Sequence, residues 1–258
     1  MAESDITDVE TCESAAVEVP EHPEEVTEHP AEREALVFTP KPVYEFFKAI
    51  FDFVSSLIAS IILLIPLSVI ALIIISKDKG HPFYFHKRVG KNASEIRVCK
   101  FRSMKMGADD LEKMLTPEQL AEYKKEYKLN DDPRLIGYKN PGDSATCFGS
   151  KIRKMSIDEL PQILLNILIF HNMSVVGPRP ILRSELEENY TPEEQKLLLS
   201  IKPGLTGYWQ AYARNKAGYK NGARQKIELF YVHNRSFIFD MKIIFKTVAA
   251  VLFEKGAN

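Results

Sequence analysis

From Phe53 to Ile75 the chain runs for 23 residues without a charge, interrupted only by Ser55, Ser56, Ser60, Pro66 and Ser68. As a helix this run reaches about 34 Å, enough to cross a bilayer core. A stretch so long and so poor in polar groups favours lipid over a protein interior as its surroundings. Pro66, near its middle, removes a backbone hydrogen bond and crowds the carbonyl four residues earlier, so a break is expected there. Two topologies remain open: a helix that spans, or one that bends at Pro66 and re-enters. Lys41 and Lys48 precede the run, whereas Lys77, Lys79, Lys87 and Arg88 follow it. That excess places the body after the run on the cytoplasmic side.

The 258 residues carry a formal net charge of −1, but the balance is uneven. Between Met1 and Pro40 twelve acids face the single base Arg33, a net −11, which leaves about +10 on the remainder. With repeated Pro and Glu and no periodic apolar face, residues 1–40 cannot bury enough surface to offset their ordering entropy and read as a disordered acidic tail. It serves as a solubilising spacer or as a docking site for a partner. Its acidic opening and lack of an apolar core exclude a secretory signal. Cys12, Cys99 and Cys147 have an odd count and no metal-like spacing, which argues for a reducing compartment and against a disulfide framework or zinc site.

Three regions follow: the tail at 1–40, a membrane-anchoring helix at 41–79 with its break at Pro66, and a body at 80–258. In the body, Phe83 to Val89 and Ile96 to Phe101 read as strands around the turn Gly90-Lys-Asn92, a β-hairpin. Alternation along the second strand puts Ile96, Val98, Lys100 and Arg102 on one face and presents two cations where it ends. Thr116-Pro117-Glu118 opens a charged helix to about Lys128, and Thr191-Pro192-Glu193-Glu194 opens another that stops before Pro203-Gly204. From Ile227 onward apolar residues dominate, with Asp240, Lys242 and Lys246 among them, which fits either an interfacial amphipathic helix or a core helix. The fold class is α+β, mainly helical.

Asp158 and Glu159 are adjacent carboxylates in Met155-Ser-Ile-Asp-Glu-Leu-Pro161. Ser156 to Glu159 has the spacing of a capping box, but Pro161 would then fall where a helical hydrogen bond is needed. With Asp158 as N-cap, the proline sits harmlessly in the first turn. An ionised carboxylate beside cations is equipped for phosphate chemistry, and Arg153 and Arg179 are the guanidinium groups expected to hold Asp158 negative. Two adjacent acids are also able to share a divalent cation, with magnesium the usual partner of phosphates.

Five ordered motifs then carry a resemblance: Lys87-Arg-Val-Gly-Lys91, Lys100-Phe-Arg-Ser-Met104, Ser156-Ile-Asp-Glu-Leu-Pro-Gln162, Met173-Ser-Val-Val-Gly-Pro-Arg-Pro180 and Lys202-Pro-Gly-Leu-Thr-Gly-Tyr-Trp-Gln210. Together they resemble the bacterial sugar transferases, the monotopic polyprenyl-phosphate phosphoglycosyl transferases, over roughly Val43 to Phe253. The resemblance implies transfer of a sugar-1-phosphate from a UDP-sugar to undecaprenyl phosphate at the bacterial inner membrane, with release of UMP. The product would begin an exopolysaccharide, lipopolysaccharide or other glycan. It implies Asp158 as the nucleophile of a covalent phosphosugar intermediate, Glu159 as its companion, and Mg2+ as cofactor, with Asp158 and Glu159 the candidate metal ligands and two roles open for Glu159, holding the metal or handling protons. Lys100, Arg102, Arg153 and Arg179 match basic family positions that bind phosphate or substrate, and Pro178 and Pro180 match the prolines framing the arginine.

The family's membrane helix re-enters at a Ser-Pro step, where this chain has Ile65-Pro66. Its linker from Asn166 to Met173 is longer than usual. Partners expected besides the two substrates are membrane lipids and either a second copy of the chain or downstream glycosyltransferases, with no nucleic acid. Two other readings are a silent membrane scaffold and a glycosyltransferase that releases UDP.

Overall fold

The computed structural model describes residues 38–126, 129–213 and 222–253. Most of the acidic tail lies outside them. Phe38 and Thr39 are described and packed: the Arg235 guanidinium lies 4.7 Å from the Phe38 ring centroid and donates to the Thr39 carbonyl at 2.8 Å. These two residues of the expected tail are thus held against the body.

Helix α1 (Pro42–Lys77) contains the whole apolar run. Helical conformation continues across Pro66. Ser56 Oγ donates to Phe53 O at 3.0 Å and Ser68 Oγ to Leu64 O at 2.8 Å, whereas the buried Ser60 Oγ has no partner among the described residues. Such back-bonding removes the cost of a bare hydroxyl in an apolar medium. Ile61, Ile62, Leu64 and Ile65 are all more than half exposed, yet both flanks are fastened to the body. On the N-terminal side Tyr44 and Lys48 donate to Asp240 at 2.8 and 2.7 Å, while Asp52 accepts from Ser174 Oγ at 2.6 Å and the Val175 N–H at 3.2 Å. On the C-terminal side Ile74 is fully buried among Phe101, Ile136 and Ile152, with Leu67, Ile70 and Ala71 packed at the edge.

Strands β1 (Phe83–Val89) and β2 (Glu95–Phe101) form the expected antiparallel hairpin, in register from Phe83↔Phe101 to Val89↔Glu95. The other edge of β2 is covered by one buried amide: Asn166 accepts the Cys99 N–H at 2.9 Å and donates to Arg97 O at 2.8 Å. Asn166 belongs to a π-helical segment, Ile163–Ile169, that packs along α1. Helices α2 (Leu111–Met114), α3 (Pro117–Glu126) and α4 (Phe148–Lys154) complete this half.

A second sheet, β3 (Ser174–Val176) paired in parallel with β4 (Gly204–Thr206), was not foreseen. Between them lie α5 (Arg183–Asn189) and α6 (Pro192–Leu198). The Thr191 signal is realised as a capping box, Glu194 N donating to Thr191 Oγ1 at 3.3 Å and Thr191 N to Glu194 Oε2 at 2.8 Å. The apolar C-terminal stretch divides into α8 (Ala223–Asn234) and α9 (Phe237–Phe253), which pack with α7 (Tyr208–Tyr212) around Tyr208, Tyr231, Phe239 and Ile243. Helix α9 buries Asp240 and Ile243, while Phe237, Ile238, Phe245 and Val248 are exposed.

Candidate active site

Helix α4 ends at Lys154, and Ser156 turns the chain with a left-handed φ of 54° into a 3-10 turn, Ile157–Glu159. Neither expected cap is made, because no side chain caps this turn. Asp158 lies inside the turn instead of at an N-cap, which is a correction with a chemical consequence. Its carboxylate is not consumed by local structure, and among the described residues it has no hydrogen bond or ion pair with another side chain.

The carboxylate lines a cleft of about 650 Å³, walled by the hairpin, by residues 103–109 and by Arg153, Ser156, Asp158 and Glu159. Lys100 Nζ lies 2.6 Å from Glu159 Oε1. Asp158 is 8% exposed, and its pKa is pushed up to about 6, first by burial and then by Glu159, against the pull of Lys100 and Arg153. The cations were expected to hold this group low. They are present, but loss of water outweighs them, and Arg179 is not among the charges acting on it.

The remaining expected residues separate. Arg153 stands exposed at the rim, 3.9 Å from Met104 Sδ. Arg102 lines the cleft, but its guanidinium is occupied by the Asp78 carboxylate and donates to the Asp78 carbonyl at 2.5 Å, while Nε donates to His81 O at 2.7 Å. It locks the end of α1 to the end of β2. Arg179 lies outside the cleft walls, 3.5 Å from Glu185 and 5.9 Å from the Trp209 ring centroid. Its backbone N–H reaches the carboxylate of Glu228 at 3.3 Å, a group whose pKa burial pushes up to about 7 against Arg224 and Arg179. Pro178 and Pro180 do not line the cleft either; the Pro178 carbonyl accepts the Gly204 N–H at 2.8 Å and so ties the arginine's loop to β4.

Among the cleft residues that the sequence reading did not assign to the site are Tyr84, His86 and Arg88. Their signal was present in the alternation of β1, since register pairs them with Lys100, Val98 and Ile96 on the face already assigned to β2. The His86 pKa is lowered by burial and by the charges of Arg88, Lys100 and Arg179, so the ring is neutral.

No three His, Cys, Asp or Glu side chains converge among the described residues. A divalent cation would therefore rest on Asp158 and Glu159 and take its other ligands from substrate phosphate and water. This donor set, two hard oxygen groups beside an open cleft, fits magnesium in that mode.

Residues 43–254 match the family model described as bacterial sugar transferase. The UDP-galactose-lipid carrier transferase of Erwinia amylovora is 40% identical over 215 residues, 82% of this chain and 42% of that protein. Exopolysaccharide production protein ExoY of Sinorhizobium fredii is 37% identical over 221 residues, 84% of this chain and 90% of that protein. Undecaprenyl-phosphate galactose phosphotransferase of Salmonella typhimurium is 39% identical, again over 42% of its own length. The chain thus spans less than half of the Erwinia and Salmonella proteins and nearly all of ExoY. On the extent of the model match and of the ExoY alignment, the chain belongs to the bacterial sugar transferase family.

Proposed function

We propose that this chain transfers a sugar-1-phosphate from a UDP-sugar to undecaprenyl phosphate at the cytoplasmic face of the bacterial inner membrane, releasing UMP and starting an exopolysaccharide or related glycan. The observation that carries this reading is Asp158: a carboxylate withheld from capping, buried at the wall of a cationic cleft that begins just past the membrane helix. The names of the relatives, which speak of lipid carrier and undecaprenyl phosphate, support the same substrates.

In the first half-reaction an Asp158 oxygen attacks the phosphorus that bears the sugar. A P–O bond to Asp158 forms, the bond to the bridging oxygen breaks, and its electron pair leaves with UMP. A phosphate oxygen of the lipid then displaces Asp158, restoring the free carboxylate. Lys100 and Arg153 neutralise the donor's charge, which would otherwise repel the carboxylate. Magnesium, held by Asp158 and Glu159, would supply further neutralisation of phosphate oxygens when bound.

Because both flanks of α1 grip one body while its middle is bare, the helix is proposed to dip into the bilayer and return its ends to one side. Pro66 is the site of least resistance for that bend. The test is UMP release from UDP-sugars in the presence of undecaprenyl phosphate. Asp158→Asn should abolish it, and wild type given donor alone should become covalently loaded at Asp158; unaltered turnover in the variant would end the assignment.

A further inference from the structure

We infer that the joint between α1 and the body is a lipid site: Lys91 and Lys202 grip the phosphate of an anionic phospholipid, and an acyl chain of the same lipid lies in the apolar groove alongside. The inference goes beyond the reaction proposed above and rests only on α1 entering the bilayer. A pocket of about 190 Å³ opens beside the N-terminal flank of α1, lined by Tyr44, Lys48 and Asp52 from the helix, by Lys91 from the hairpin turn and by Lys202 from the approach to β4. It shares no lining residue with the catalytic cleft. Two of its cations are occupied, Lys48 by Asp240 at 2.7 Å and Arg235 by Glu45 at 3.1 Å. Lys91 and Lys202 have no ion pair or side-chain hydrogen bond among the described residues. Asp52 attracts Lys202, but its oxygens are already given to Ser174 Oγ at 2.6 Å and the Val175 N–H at 3.2 Å, with Lys48 next at 3.8 Å.

Both ammonium groups stand on fixed backbone. Lys91 opens the 3-10 turn Lys91–Ala93, whose Asn92 N–H donates to Leu199 O at 2.8 Å and docks the turn on the end of α6. Lys202 O lies so near Gly177 that a Cβ there would come within 2.6 Å of it, and the next carbonyl, Pro203 O, accepts the Ser174 N–H at 2.9 Å. Burial lowers the Lys202 pKa, and Lys91 adds to that against the pull of Asp52. An anion bound by both lysines removes this cost. The surroundings say which anion. Tyr44 and Arg235 also line an apolar groove of about 940 Å³, walled by the exposed side chains of Phe47, Ile50, Val54 and Phe237. A cationic pocket continuous with an apolar groove fits an amphiphile, and both lie where α1 passes into its uncharged run at Phe53, the level at which lysines meet lipid headgroups. About 39 Å of helix separates Asp52 from Asp78, whose partner Arg102 lines the catalytic cleft. The acceptor's phosphate has to reach Asp158, so the group held here is that of a surrounding phospholipid.

The experiment titrates the full chain in nonionic detergent with dihexanoyl phosphatidylglycerol, dihexanoyl phosphatidylcholine or inorganic phosphate, read by calorimetry. Phosphatidylglycerol should bind at least about 10-fold more tightly than either of the others. Lys91→Gln and Lys202→Gln should each weaken it about 5-fold, and together about 25-fold, the scale set by one basic residue at an anionic membrane surface. Phe47→Ser, in the groove, should weaken it several-fold as well. Lys87→Gln combined with Lys113→Gln removes the same charge from exposed side chains elsewhere and should change it less than about 2-fold. Unchanged affinity in the Lys91→Gln, Lys202→Gln double variant, or in Lys91→Gln alone should the double variant not fold, would overturn the inference. So would equal affinity for inorganic phosphate, which would make this a site for free anions, and so would displacement of the lipid by a short-chain polyprenyl phosphate, which would give the pocket to the acceptor. None of these titrations requires turnover, so failure of the reaction assigned to Asp158 would show in UMP release alone.

Discussion

Lys100 Nζ stands 2.6 Å from Glu159 Oε1, so the ammonium group pairs with the second acid of the dyad, and among the described residues no other side chain bonds to the buried carboxylate of the first, Asp158. Of the neighbours that favour the charged form of Asp158, Lys100 acts most strongly. Removing it should therefore raise the Asp158 pKa further. If ionised Asp158 is the nucleophile, kcat/KM for UMP release in wild type should rise with pH through about 6. In Lys100→Met that rise should move to higher pH by about one unit. A profile with an unmoved midpoint would mean that Lys100 does not govern this acid.

Asp158 should also be a source of instability. Its folded pKa lies above the ordinary carboxylate value of 3.8, at about 6, so folding favours the protonated form. The penalty is absent below the unfolded pKa, grows as pH rises between the two values, and is complete above 6. Asp158→Asn removes a charge without changing shape and should stabilise the protein at pH 7.5 by at most about 3 kcal/mol. At pH 4 the gain should vanish. Thermal unfolding of both forms at the two pH values decides it, and a variant less stable at pH 7.5 would mean that the carboxylate has a structural partner.

Asp240, unlike Asp158, is held by three side-chain donors. It is 2% exposed and accepts from Tyr44, Lys48 and Tyr231, at 2.8, 2.7 and 2.8 Å. Asp240→Ala removes the shared acceptor of three donors at the joint between α1 and α9, leaving Tyr231 with the Val176 carbonyl at 3.2 Å and Lys48 with Asp52 at 3.8 Å. The expected loss is about 3 kcal/mol or more, together with faster proteolysis near the start of α1. Wild-type unfolding behaviour in the variant would show that α1 is held by apolar contact alone.

Gly204 provides a steric test. A Cβ there would lie 2.1 Å from Gly177 N and 2.3 Å from Thr206 O, both backbone atoms that cannot rotate away. Gly204→Ala should part β3 from β4, costing about 1–3 kcal/mol or more, and should displace the loop that carries Arg179. UMP release should fall even where the variant still folds, and retained activity would detach this loop from the chemistry.

The elements legible in the sequence were those whose causes are local. Alternation from Ile96 to Lys100 gave the hairpin face, and Thr191 with Glu194 gave the start of α6. Strands β3 and β4 were not legible, because each has three residues and their pairing depends on the approach of Gly177 to Gly204 from opposite sides of two helices. The adjacency of the two acids was legible, but the raised pKa of Asp158 was not. Neighbouring charges can be counted along a chain, whereas desolvation depends on which elements close over a residue, and here it outweighs Lys100 and Arg153. Proline chemistry at position 66 was read correctly as a lost hydrogen bond, yet the helix absorbs it without leaving helical conformation.

The topology proposed for α1 can be tested through the cysteines. Cys99 and Cys147 are buried, and Cys12 is the one cysteine ahead of the helix, so a membrane-impermeant thiol reagent reports on the tail. A straight crossing would carry Cys12 to the outer side and label it in intact cells. That crossing would also separate the Lys48–Asp240 and Asp52–Ser174 contacts from the contacts of Ile74 by the thickness of the bilayer, although all are made to one body. The expected result is no labelling of intact cells and full labelling after the membrane is opened. Labelling from outside would require α1 to release its N-terminal flank, and in that case Asp52→Asn should leave stability unchanged.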